Sequence, residues 1–393
     1  MMTGAFHDHL LWVCCAQIFL ATLSVVLVAR IAERAFRRPG AGVAAAWFFA
    51  CDPLSIEYSI RLMSETLFVF LLLLSLDRMV VYLKTRKTCP LLLAAILLAS
   101  ATYVRPVGYW LALCCAGFFA LYGAIQTHST MTRAHTKNIG VWGALLFITV
   151  FALLVIPWQI RNFHRSGYAG FSSVVEKNLY FYEAAAVTAT IEHRTLLEEQ
   201  IMLGKQDDSY FIVHPEQAGW TQGMRLKFMR AEAMHILSAH PFVFFATYLR
   251  GLGVVSFSPG ATEFLRMIGM PQVQDVSLAE YLKKTIQQGS GAPIASRLQG
   301  LPESLLVSIV FEIFLVAVYV LAMLRLTFSR GGTPAVCLIA LVSFYFLLVS
   351  GGGQAVSRLR TPAMPGIAIL AGGGIAQVLK PSGKRKNSED AKW

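Results

Sequence analysis

Eight ionisable side chains stand at the edges of apolar runs. Asp52, Glu57, Arg61 and Glu65 lie in CDPLSIEYSIRLMSETLFVF (51–70), and Arg105 in TYVRPVGYW (102–110). Arg161 lies in VIPWQIRNFHRSG (155–167), and Arg358 and Arg360 in SGGGQAVSRLRTPAMPG (350–366). Ionisable groups at membrane depth are costly, and where they occur they tend to be functional. A carboxylate among them can take a proton from a hydroxyl or orient it. The planar fork of an arginine matches the oxygens of a phosphate. The chemistry to expect is therefore anion binding with a carboxylate nearby.

Each residue also has a plainer reading. Ser64 reads as an N-cap, and Glu65 in the first turn behind it as favourable charge at a helix N-terminus. The alternative is a carboxylate lining an outward cavity. Arg105, just before Pro106, is either a snorkelling cation or a phosphate ligand. Asp52 before Pro53 reads as structural, and Glu57 and Arg61 as a solvated turn. All four charges of the 51–70 stretch are expected to reach water. Pro157 and Trp158 are expected to end a span, with Arg161 and Asn162 following at the interface. The three glycines of 351–353 would let the backbone approach a ligand closely, whereas AGGGIA (371–376) reads as a helix-packing surface.

The elements that position these groups follow from composition. Charged residues make up 14% of the chain, against about 25% in soluble domains, so this is a polytopic membrane protein. A span needs about 20 apolar residues. The candidates are 10–29, 41–56, 64–83, 90–104, 108–125, 140–160, 304–326, 333–350 and 362–379, an all-α fold of about nine transmembrane helices. Residues 241–258, broken by Arg250, Gly251 and Gly253, read as an interfacial helix. Lysine and arginine gather in 30–40, 84–89, 132–137, 325–330 and 380–386, which the positive-inside rule places in the cytoplasm together with the C-terminus. The eight charges then face outward.

The domain organisation expected is a transmembrane region at 1–160 and an extracytoplasmic loop region with amphipathic helices at 161–303. A second transmembrane region at 304–380 and a disordered tail at 381–393 complete it. Residues 220–241 carry the amphipathic pattern of a helix on a membrane surface. Seven cysteines, with no CxxC, read as small apolar packers rather than a disulfide or metal framework. HDH (7–9) cannot easily converge on one ion, and no metal site is expected. No basic stripe with interleaved aromatics points to nucleic acid. A transporter would place its charges at mid-membrane on inverted repeats, and neither is evident.

Five short stretches in order, PLSIEYSIRLMSETLF (53–68), YVRPVG (103–108), PWQIRN (157–162), NLY (178–180) and RLRTPAMP (358–365), give the chain a resemblance. It resembles the polytopic lipid-sugar-dependent glycosyltransferases (the C-type superfamily). These include the dolichyl-phosphate-mannose protein mannosyltransferase-like family 39 and the aminoarabinose transferases. The resemblance implies an integral, multi-pass protein of the plasma or inner membrane, or of the endoplasmic reticulum in a eukaryote. It implies transfer of a sugar from a polyprenyl-phosphate donor to a protein, lipid or glycan acceptor on the extracytoplasmic face. Glu65 would then be catalytic, and Arg105, Arg161, Arg358 and Arg360 would hold the donor phosphate. Tyr58, Arg61, Asn162 and Tyr180 would contact substrate. The family carries a further span and an acidic first loop ahead of the counterpart of residues 10–29. Asp8 is too close to the span to match that loop, so Glu65 stands without its usual partner. A non-catalytic polyprenyl-phosphate-binding or scaffold member is the alternative expectation.

Overall fold

A computed structural model describes residues 3–129, 135–269, 303–328 and 333–379. The expected tail at 381–393 and the side chains of HDH (7–9) lie outside the described residues. Among those described, regular structure is helical throughout. Seven helices form the first half: α1 (Thr3–Phe36), α2 (Pro39–Ala50), α3 (Pro53–Ile60), α4 (Glu65–Thr85), α5 (Thr88–Val104), α6 (Tyr109–Ser129) and α7 (His135–Ser166). Five stretches are long and apolar enough to cross a membrane: Leu10–Phe36, Glu65–Thr85, Pro106–Ile125, Gly140–Ser166 and Leu305–Thr327. Pro39–Ala50, Thr88–Val104, Pro241–Phe257, Pro334–Val349 and Met364–Val378 are apolar but shorter.

Two expected boundaries move. The run 41–56 is not one helix: α2 stops at Ala50 and α3 begins at Pro53. A residue before proline avoids the helical region, so Asp52 is extended and caps the next helix instead. In the other case the helix continues where an end was expected. α7 runs through Pro157 to Ser166, and the left-handed Gly167 (φ +70°) follows its end. Proline frees carbonyls in the preceding turn, and neighbouring side chains can satisfy them inside a bundle. Here the Tyr103 hydroxyl donates to the Leu154 carbonyl at 2.8 Å.

The main core joins α1, α2, α4–α7 and the three C-terminal apolar helices. The AGGGIA stripe does pack helices closely. A Cβ on Gly372 would strike Ala41 and Ala45 of α2, one on Gly373 the Phe36 ring, and one on Gly374 the Leu321 backbone. A second, smaller core lies in the segment after α7. Tyr180, Phe181 and Ala184 sit on a π-helical turn, Leu179–Ala184, and pack on Leu226, Met229 and Ala233 of the Gln222–Ala239 helix. That helix buries Gly223, Leu226, Met229, Ala233 and Leu237 on one side but exposes Met224 and Met234 elsewhere, so its polarity is not segregated as expected of an amphipathic surface helix. Its buried side packs on the π-helical turn. All seven cysteines are free.

Candidate functional site

Glu65 opens α4, and the chain ahead of it is tied down from two sides. The Gln17 amide of α1 donates to the Met63 carbonyl at 2.7 Å, and the Thr66 hydroxyl donates to the Tyr58 carbonyl at 2.7 Å. Ser64 occupies the N-cap position without a side-chain capping bond. Glu65 is 1% exposed. Its Oε1 oxygen meets two guanidinium groups: Nη1 of Arg105, and Nε of Arg358 at 2.8 Å.

The two arginines come from segments that proline and tight turns fix. α5 ends at Val104, and its C-cap Arg105 is extended (φ −141°, ψ 119°) because Pro106 follows. The 3₁₀ turn Pro106–Gly108 then carries the chain away, pinned where the Tyr345 hydroxyl donates to the Val107 carbonyl at 2.6 Å. Arg358 sits on a second 3₁₀ turn, Ser357–Arg360. Its side chain is 40% exposed, against 17% for Arg105 and 2% for Glu65. Two cations and a helix N-terminus against one carboxylate leave the cluster net positive. Glu65 is the one carboxylate that pairs with Arg105 or Arg358 among the described residues. The carboxylate faces inward and a guanidinium faces out, an arrangement suited to receiving an anion at the arginines. Next to Glu65 in sequence, Thr66 helps line a mostly apolar cavity of about 400 Å³, together with Ile18, Val25, Tyr58 and Thr361.

The other charges of the opening stretch have structural partners. Asp52 caps α3, accepting from the Ser55 amide at 2.9 Å and the Ser55 hydroxyl at 2.6 Å. Glu57 pairs with Arg61 at 2.9 Å. Asp52, Glu57 and Glu65 are all buried, so the expectation that every charge here reaches water does not hold. Glu57 fails it because the turn of helix at 53–60 is covered by its neighbours, which makes the pair with Arg61 a buried-carboxylate pair rather than a solvated turn.

The remaining expected site residues lie apart from the cluster. Arg360, 1% exposed, donates to the carbonyls of Val255 at 2.9 Å and Ser258 at 2.8 Å. It satisfies the orphan carbonyls at the end of the Pro241–Phe257 helix. Arg161 stacks over the Trp158 ring at 4.4 Å, and Asn162 donates to the carbonyls of Gly170 and Phe171, both at 3.1 Å. Tyr180 is buried in the second core, its hydroxyl 3.3 Å from Nε2 of His214. Tyr58 lines the apolar cavity.

The glycine loop ahead of Arg358 approaches protein. A Cβ on Gly351 would meet the Tyr248 ring, one on Gly352 the Glu183 carboxylate, and one on Gly353 the Tyr182 carbonyl. Gly352 also needs its left-handed backbone (φ +94°). Glu183 accepts from the Gly353 amide at 3.2 Å, and the Asn178 amide donates to the Gln354 side chain at 2.6 Å. Burial pushes the Glu183 carboxyl up to about 7, although the Gly353 and Gln354 amides pull it down. Sequence reasoning missed Glu183. Its only signal was the NLY stretch at 178–180 just ahead of it, and π-helical turns often mark functional sites. Among the described residues no group of acidic, histidine or cysteine side chains could hold a metal ion. Compared with protein-family models, with curated proteins and with solved structures, the chain finds no match.

Proposed function

We propose that this protein is an integral membrane glycosyltransferase of the lipid-sugar-dependent type. It moves a sugar from a polyprenyl-phosphate donor to an acceptor on the extracytoplasmic face. In this reading nine apolar segments cross the membrane, the short ones tilted, and the C-terminus is cytoplasmic. The observation that carries the proposal is the convergence of Arg105 and Arg358 on buried Glu65.

The chemistry assigns the parts as follows. Breaking the glycosidic bond to a lipid phosphate develops negative charge on the leaving phosphate. Preorganised arginines stabilise that charge where water is excluded. Arg358 turns Nε toward Glu65 and Nη1 toward the Met63 sulfur at 3.9 Å, which leaves Nη2 for phosphate oxygens. Glu65 is engaged by two guanidinium groups. Its role is to fix both arginines in one orientation. The cavity lined by Ile18, Val25 and Tyr58 gives the prenyl chain an apolar place beside the cluster.

One observation favours the alternative, a protein that binds polyprenyl phosphate without turning it over. An inverting displacement needs a base, and no second carboxylate joins Arg105 and Arg358 among the described residues. The two readings separate in one assay. Full-length protein in liposomes is given a panel of polyprenyl-phosphate sugars, and free polyprenyl phosphate is measured with and without acceptor extracts. Acceptor-dependent release that disappears in Arg358→Ala supports the enzyme. Donor binding without release supports the non-catalytic protein, and neither binding nor release overturns both.

A further inference from the structure

The inner part of α4 carries a second buried carboxylate, Asp77, outside the site described above. Arg34 of α1 and Arg78 of α4 both ion-pair with it, Arg78 also donating Nε to Oδ2 at 3.0 Å. Arg30, one turn before Arg34, reaches the same carboxylate only at 3.8 Å. Lys84 closes the group by donating to the Arg34 carbonyl. Asp77 is fully buried, while the Arg30 side chain remains 49% exposed.

Three guanidinium groups on one carboxylate leave two positive charges uncompensated. At the edge of a membrane such an excess attracts the anionic headgroups of the leaflet. Thr22 and Val26 precede Arg30 at four-residue intervals and so share its face of α1, and all three are exposed along the outside of that helix. An exposed apolar stripe ending in a half-free cation has the two halves of a phospholipid site. We propose that Arg30, Arg34 and Arg78 bind the phosphate headgroup of an anionic membrane phospholipid, with its acyl chain along Val26 and Thr22. Basic pockets between membrane helices recognise such headgroups by the same balance of charge. Asp77 holds Arg34 and Arg78 in place, and loosely held Arg30 turns to the lipid.

The test uses the purified full-length chain and reads thermal stabilisation and retained lipid by native mass spectrometry. Phosphatidylglycerol should stabilise the protein and be retained, and phosphatidylcholine should do neither. Arg30→Gln should weaken phosphatidylglycerol binding roughly fivefold, the factor for about one interfacial arginine. Arg30→Lys should keep most of the binding, which guards against reading a folding defect as lost affinity. Equal responses to the two lipids would overturn the proposal, as would unchanged binding in Arg30→Gln. Inorganic phosphate reproducing the stabilisation would also overturn it, by making the site one for a free anion.

Discussion

Helix α4 carries two buried carboxylates, one in its first turn and one just past its middle, and the two are held in different ways. Glu65 and Asp77 are twelve residues apart, about 18 Å along the helix. Glu65 is met by Arg105 and Arg358, both from non-helical turns fixed by proline and 3₁₀ geometry. Asp77 is met by Arg34, Arg78 and Arg30, all from helices. Helix-borne arginines are placed by packing and cannot leave without disturbing the bundle. Turn-borne arginines can adjust to a ligand at a smaller cost. The difference teaches that similar charge pairs can be held differently: the Asp77 cluster ties helices together with Arg30 held most loosely, and the Glu65 cluster, on the proposed function, presents cations to the donor phosphate.

The sharpest break in the comparison is at Asp77. Replacing it by alanine removes the buried carboxylate on which three part-exposed guanidinium groups converge, a loss at or below the lower end of the about 3–5 kcal/mol for breaking a fully buried pair from one side. Asp77→Ala should therefore lower the thermal midpoint strongly or prevent recovery of folded protein, as size-exclusion and thermal scans would record. A midpoint equal to the parent protein would mean that the Asp77 cluster is not structural.

At the Glu65 end the same logic gives, on the proposed function, a functional rather than a structural loss. Arg358→Ala should slow sugar transfer about 10²–10³-fold, the effect of removing one preorganised charge donor. Its half-exposed side chain predicts little change in thermal midpoint. Gly352→Ala probes the turn that carries Arg358. The added methyl group meets the Glu183 carboxylate on a left-handed backbone, and crowding of this kind costs about 1–3 kcal/mol. Donor binding should fall with it, because the turn that places Arg358 shifts.

The smallest effect concerns Glu183, whose carboxyl is raised from 4.5 to about 7 by burial. A carboxyl raised on folding favours the folded state most below its ordinary range, and that contribution fades as pH rises through the folded value. Docking of the glycine loop on the π-helical turn should thus weaken between about pH 4.5 and 7. Protection factors at Gly353 and Gln354, corrected for the intrinsic pH dependence of exchange, should fall across that window in the parent protein and stay flat in Glu183→Gln.

Much of this was legible in the sequence. Apolar runs and charge density marked the membrane helices, and Pro106 marked the end of α5. The AGGGIA stripe declared itself because glycine inside an apolar run has few uses except close packing. Glu65, Arg105 and Arg358 could be singled out by type and position. Their meeting could not be read, since it depends on turns hundreds of residues apart. Arg360 illustrates the same gap: it is two residues from Arg358, yet the tight turn sends it inward to the carbonyls of Val255 and Ser258. Asp77 was passed over because its run is uniformly apolar apart from Asp77 and Arg78, and its partners lie on another helix.

The central claim is that Arg105 and Arg358, oriented by Glu65, hold the donor phosphate. Equilibrium binding of a polyprenyl phosphate to the full-length protein in nanodiscs tests it most directly, comparing the parent with Arg105→Ala, Arg358→Ala and Arg161→Ala. The account predicts at least about tenfold weaker binding for Arg105→Ala and Arg358→Ala, the loss of a charge-assisted hydrogen bond, with Arg161→Ala unchanged. Binding equal to the parent in both Arg105→Ala and Arg358→Ala would contradict it.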